Sequence, residues 1–437
     1  SQNALFDQGN GQSTDGNSEE GRSLRDFNLL VSPLPINWNN YHFSDVCDRV
    51  KDPYKPVEGG ATPYVGLEHL AQGIPSLIGL GTESDIKSSK TSFKNGDVLF
   101  GKLRPYLRKG VLVDFDGISS TDILVFRARE KCESGFLKYL VHSDAFIGHA
   151  KSTTSGVQHP RTSWLSLKEF RLSLPPLSEQ NKIIHILSTL QRAIEAQERI
   201  IRTMTELKEA LMHKLFTEGL HNEPQKQTEI GPIPESWEVV SLTETVEFID
   251  YGVSQAIPKM PPVDGVKIVS TADIDKQGNL LYRKVRRIEV SKKIATRLKL
   301  NDGDILFNWR NSPPLIGKTT IFHAQNENHI FASFILRICT GEKRSHNYFL
   351  KYLMNHYREE GVFVKLARRA VNQANYNKNE ISTLKIPKPS YCEQVEIANV
   401  IHGVEEKRQK HQDKRDVLRN LFRTFLNELM TAKTRVL

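Results

Sequence analysis

The sequence predicts an α+β chain made of two similar mixed α/β domains, each trailed by one long helix of coiled-coil type. Two observations carry this expectation. Short motifs recur in the same order in both halves of the 437-residue chain, and each half ends in a 3.5-residue apolar repeat. Size points the same way, since one ordinary core rarely serves a chain this long.

The duplication is visible residue by residue. Asn95-Gly-Asp-Val-Leu-Phe100 is answered by Asp302-Gly-Asp-Ile-Leu-Phe307, and Phe136-Leu-Lys-Tyr-Leu140 by Phe349-Leu-Lys-Tyr-Leu353. Pro175-Pro-Leu-Ser-Glu-Gln180 returns as Pro387-Lys-Pro-Ser-Tyr-Cys-Glu-Gln394. Each half also opens with a Pro and a Trp close together, Pro35/Trp38 and Pro234/Trp237. Two copies are too few for a solenoid and indicate a duplicated domain with its trailing segment.

In chain order, residues 1–27 are rich in Ser, Gln, Asn, Gly and Asp and are expected as a disordered tail. Residues 28–174 form the first domain. Within it 97–100, 110–113 and 122–126 alternate as strands and 135–147 reads as one helix. Residues 175–218 form the first long helix. With Leu187 as position a, the a and d series is apolar at Leu187, Leu190, Ile194, Ile201, Met204, Leu211 and Leu215, and only Gln197 and Lys208 interrupt it. Residues 219–232 are polar and contain Pro, as a linker does. The second domain covers 233–389, with strands at 304–307 and 334–338 and a helix at 346–360. Residues 390–431 form the second long helix, whose seam is broken by Arg408, His411 and Arg415. Prolines stop the strand before each helix, and Ser390 with Glu393 has capping-box spacing. Each helix should run about 60 Å at 1.5 Å per residue.

The formal charge is +9, and residues 1–27 contribute five acids against two arginines, so the remainder carries +12. Such an excess favours a polyanionic partner, because neutralised phosphates release counterions. Cys47, Cys132, Cys339 and Cys392 lie far apart without a CxxC pair, which argues against a disulfide framework or zinc site and for the reducing cytoplasm. No apolar run is long enough to span a bilayer, and no export signal is expected.

Motifs that promise chemistry fail on inspection. Gly317-Lys318-Thr319 resembles the end of a phosphate loop, but Ser312 stands where the first glycine is required. Ser312-Pro-Pro-Leu315 lacks the aromatic residue that stacks on a target base. The fourteen histidines show no HExxH spacing. We therefore expect no catalytic residues, no cofactor and no metal.

Two loop pairs promise contact with double-stranded DNA. Lys102-Leu-Arg-Pro-Tyr-Leu-Arg-Lys109 follows a strand end and gathers Lys102, Arg104, Tyr106, Arg108 and Lys109; its counterpart holds Trp309, Arg310 and Lys318. Arg and Lys hold phosphates or take guanine edges. A second loop before each long helix carries Gln158, His159 and Arg161 in the first copy. In the second it carries Arg368, Arg369, Asn372, Gln373, Asn375 and Tyr376. Asn and Gln are the side chains that read adenine. The basic runs Arg283–Arg287 and Lys292–Lys293 are phosphate clamps only if they face a duplex, since charge runs are usually solvated.

Across about 28–430 the pattern resembles the specificity subunits of type I restriction–modification systems. The resemblance rests on Gly96-Asp-Val-Leu-Phe-Gly-Lys-Leu-Arg-Pro105, on Leu174-Pro-Pro-Leu-Ser-Glu-Gln180, on Asn372-Gln-Ala-Asn-Tyr-Asn377 through Leu384-Lys-Ile-Pro387, and on Gly60-Ala-Thr-Pro63. It implies two target recognition domains, each reading half of a bipartite site, separated by two long antiparallel coiled-coil helices. It further implies two methyltransferase subunits docked on those helices, restriction subunits in the larger complex, and no membrane. Lys388 and Cys392 interrupt the second proline-rich motif and depart from the pattern. The competing reading is a coiled-coil structural adaptor whose basic domains bind DNA without sequence preference.

Overall fold

The structure, a computed structural model, describes residues 37–341, 344–366, 368–370 and 373–436, with the backbone alone at 314, 366, 368–370, 373 and 374. The expected tail 1–27, and residues 28–36 of the expected first domain, lie outside the described residues. The chain divides into two compact units, residues 1–192 with 420–437, and residues 193–419.

In the first unit an antiparallel four-stranded sheet has the order Cys47–Val50, Ile123–Ala128, Val98–Gly101, Gly110–Leu112. The second unit repeats it as Phe248–Tyr251, Ile335–Cys339, Ile305–Asn308, Thr319–Ile321. The central strands of both are buried on both faces, which explains their unbroken apolar runs. A second sheet in each unit contains one parallel pair, Pro63–Val65 with Gly117–Ser119 and Val266–Val269 with His329–Phe331. A two-stranded ribbon closes each domain, Asn39–His42 on Arg171–Leu174 and Glu238–Ser241 on Lys385–Lys388.

Two expectations need correction. The single helix expected over 135–147 is broken into Ser134–Leu140 and Asp144–Ser152, because the Ser143 side chain accepts the Phe146 amide and starts a new helix. Residues 219–232, expected as a linker, carry most of a hairpin, Gln225–Thr228 on Gly231–Pro234, whose Ile233 enters the core.

The long helices run Leu177–Thr217 and Tyr391–Met430. Their starts explain two of the repeated motifs together. Trp38 donates its indole N–H to Glu179, and buried Trp237 donates to Glu393. Burying an indole of about 200 Å² stabilises by roughly 5 kcal/mol, provided the N–H finds an acceptor. The adjacent glutamine works as a clamp. Gln180 donates to the Pro175 carbonyl and accepts the Glu133 amide; Gln394 donates to the Pro389 carbonyl and accepts the His346 amide. The Glu-Gln pair thus fastens a domain to the first turn of its helix.

The helices are antiparallel within the second unit, where residues that interrupt one seam meet partners on the other helix. Gln197 bonds His411 at 2.7 Å, itself an interruption, and Lys208 pairs with Glu405 at 2.7 Å. Glu198 pairs with Arg419 at 2.5 Å. The breaks Gln197, Lys208 and His411 are therefore matched across the seam, an arrangement that fixes register between apolar helices, whereas Arg415 pairs with Asp416 on its own helix. Among the described residues no helix is long and apolar enough to cross a membrane.

Candidate nucleic-acid interface

In the first unit the strand Val98–Gly101 ends at Lys102, whose amide donates to the Asp122 carbonyl. The chain then turns through Arg104 and Arg108, both non-glycine residues at φ 50°. That left-handed backbone costs of order 1 kcal/mol or more per residue and must be held by its surroundings. The second loop supplies the hold. The Arg104 amide donates to the Pro160 carbonyl, the Thr162 amide to the Lys102 carbonyl, and Leu103 bridges Arg161. Two loops some fifty residues apart in sequence so become one surface carrying Lys102, Arg104, Tyr106, Gln158, His159 and Arg161. Tyr106 is half exposed and Val157, at the tip of the second loop, is fully exposed.

Arg104 reaches the Gln158 carbonyl at 3.4 Å, and its Nε is buried without a partner. Strain together with an unsatisfied donor marks a position kept for a reason other than stability. Arg161 forks onto Asp122 at 2.8 and 3.1 Å. That guanidinium, aided by Lys102 and His159, holds the Asp122 carboxyl below its usual range.

The second unit repeats the platform. Tyr376 donates its amide to the Trp309 carbonyl as Thr162 does to Lys102, and Arg310 pairs with Asn375 as Leu103 pairs with Arg161. The added strands Gln373–Asn375 and Arg368–Ala370 complete a three-stranded sheet with Arg310–Asn311. Arg310 lies over the Phe334 ring at 4.9 Å, and Trp309 packs on Tyr251 at 5.5 Å while donating its indole N–H to Ser333. For Arg368, Arg369 and Gln373 only the backbone position is described, and Asn372 lies outside the described residues.

Several expected contacts are corrected. Lys318 is buried, its ammonium donating to the Thr271 and Ile274 carbonyls at 2.8 and 2.5 Å. Lys109 stands at the matching position and donates to the Leu67 carbonyl at 2.6 Å. Each lysine pins the short helical turn that follows the parallel strand, and the buried Lys318 ammonium is thereby kept from a phosphate. Tyr376 is also buried, bonding the Phe363 carbonyl and packing on its ring. Arg108 is engaged with Asp144 and the His142 carbonyl. In the basic run, Arg287 is paired with Glu327.

Asp122 and Phe334 were not singled out in the sequence. They are equivalent, each standing immediately before the central strand, Ile123–Ala128 or Ile335–Cys339. Aligning the two copies strand by strand brings them together, which motif matching does not. In the first copy this place holds an ion pair, and in the second an aromatic ring under an arginine.

Residues 35–205 match the family described as "Type I restriction modification DNA specificity domain". The chain is 27% identical over 422 residues to the type I restriction enzyme MjaVIII specificity subunit of Methanocaldococcus jannaschii, covering 92% of this chain and 94% of that protein. It is 32% identical over 180 residues to a chain of the same organism named as the MjaX specificity subunit, a match spanning 40% of this chain and 41% of that protein. In fold it resembles the S subunit of a type I restriction–modification system from M. genitalium, with a TM-score of 0.58 at 13% identity over 90% of this chain and 96% of that one. With its duplicated domain-and-helix plan, the chain is similar over nearly its whole length to type I restriction–modification specificity subunits, and residues 35–205 match their specificity domain.

Proposed function

We infer that this chain selects the DNA sequence on which a type I restriction–modification complex acts, and that it performs no chemical step itself. One observation carries the reading: the same pair of polar loops is brought together at the end of the same strand in both units. A platform built twice in one chain suits a target in two parts. Residues 28–174 and 233–389 are the two recognition domains. Lys102, Arg104, Tyr106, Gln158, His159 and Arg161 face the first half-site, and Trp309, Arg310 and the strands Arg368–Ala370 and Gln373–Asn375 face the second. The helices 175–218 and 390–431 dock two methyltransferase subunits, and restriction subunits join the larger assembly. The excess of positive charge supplies the sequence-independent part of the affinity.

Footprinting of the complex with its methyltransferase subunits, in excess competitor DNA, tests this. The expected result is two protected blocks within one sequence, separated by an unread gap. Uniform coverage that vanishes with added salt would replace this reading by that of an adaptor binding DNA without preference.

A further inference from the structure

We propose that His213, His356 and Glu360 form a binding site for a divalent transition-metal ion of the zinc class, which clips the first long helix to the main helix of the second domain. His213 lies near the end of the helix Leu177–Thr217. His356 is on the helix Asn347–Glu359, and Glu360 follows it directly, its amide donating to the His356 carbonyl at 2.9 Å. That bond continues the helical turn, so His356 and Glu360 stand one turn apart on one face. The three ligand atoms lie within 4.8 Å of one another, and the two imidazole rings are 6.1 Å apart.

Tetrahedral zinc, with bonds of about 2.0–2.1 Å, needs its ligand atoms about 3.3 Å apart, so the set must close by about 1.5 Å. His213 and Glu360 are exposed and supply that movement by side-chain rotation. His356 is the fixed member, buried against the Phe216 ring at 5.3 Å. Two imidazole nitrogens and one carboxylate suit zinc, cobalt or nickel, whereas calcium and magnesium require oxygen-rich sets. A fourth position is left for water.

The first unit shows what this joint does without such ligands. Asn427, at the place in its helix equivalent to His213, donates to the Asp144 carboxylate and so fastens helix to domain by hydrogen bonds. In the second unit the same joint presents two imidazoles and a carboxylate facing one another. The imidazoles come from helices far apart in sequence, which is why no metal-binding spacing exists in the chain.

The test is isothermal titration of the full-length chain with Zn²⁺, with Co²⁺ and its visible absorption as a second probe. One ion per chain is expected, together with a rise in Tm on zinc addition. His213→Asn, which installs the first unit's residue at an exposed position, and Glu360→Gln should each leave the metal-free Tm unchanged. Each should weaken binding about tenfold or more and abolish the Tm rise. Failure of the wild-type chain to bind one ion, or equal binding by both variants, overturns the proposal.

Discussion

Lys208 and Glu405 meet 2.7 Å apart between the two long helices of the second unit, both nearly buried. The first unit places Phe422 and Gln191 at the equivalent positions. There Gln191 accepts from Tyr139 at 2.9 Å and Lys138 at 3.2 Å, and Phe422 packs edge-on against Tyr139. In the second unit Glu405 accepts from Tyr352 at 2.8 Å and Lys351 at 3.0 Å, and the Lys208 ammonium sits over the Tyr352 ring. One joint therefore sets a single lysine on a glutamine, and its copy sets a carboxylate between two lysines, on the same geometry. Burial pushes the Glu405 carboxyl up, but Lys351 and Lys208 outweigh it and hold the group at about 2.

Removing the charge from one side alone should be costly. Glu405→Gln leaves two buried ammonium groups uncompensated, and a loss of about 3–5 kcal/mol is expected in urea unfolding. The double variant Glu405→Gln/Lys208→Phe copies the first unit's joint and should recover most of that loss. Equal instability of single and double variants would show that the charge imbalance is not the cause.

The same group sets an acid limit. Its folded value lies below the ordinary 4.5, so its contribution is complete above pH 4.5 and is lost as pH falls towards 2. About 3 kcal/mol should disappear across that window, and the double variant should show a shallower slope there in denaturation series run by pH.

His142 defines a different window in the first unit. It is fully buried, its Nε2–H donating to the Gly110 carbonyl at 3.1 Å, and burial first of all lowers its pKa from 6.5 to about 4. The unfolded chain takes up the proton first, so stability is complete above pH 6.5 and falls by about 3 kcal/mol as pH drops to 4. The second unit places Asn355 here, donating to the Thr319 carbonyl at 2.8 Å. His142→Asn should keep the hydrogen bond and flatten the pH 6.5 to 4 slope, as read by thermal unfolding at both pH values. An unchanged slope would assign that acid sensitivity elsewhere.

The long helices and the duplication were legible in the sequence because each rests on a period or a repeat that local chemistry writes directly. The seam interruptions Gln197, Lys208 and His411 were visible too, but not their partners, since pairing across antiparallel helices depends on register. Lys318 misled for a related reason: a lysine in a basic loop looks the same whether its ammonium faces solvent or the carbonyls of a turn over forty residues away. Helix breaking at Ser143 depends on a single side-chain cap, which the apolar pattern does not show. The loops recur in both halves and were legible as pairs for that reason, whereas Asp122 and Phe334 emerge only from strand-by-strand superposition of the copies.

That divergence separates the two halves of the interface experimentally. Arg104 belongs to the first platform, and Phe334 supports Arg310 in the second. Arg104→Ala should weaken recognition of one half-site by about 1–3 kcal/mol, and Phe334→Ala should affect only the other. Competition binding with duplexes in which one half-site at a time is scrambled measures this. Arg104→Ala should distinguish the first scrambled duplex from the cognate one less sharply, by about 1–3 kcal/mol, while rejecting the second as strongly as before. If instead it lowers affinity for every duplex alike and reduces the salt slope by about one, Arg104 contacts a phosphate and the base reading lies with Gln158 and its neighbours.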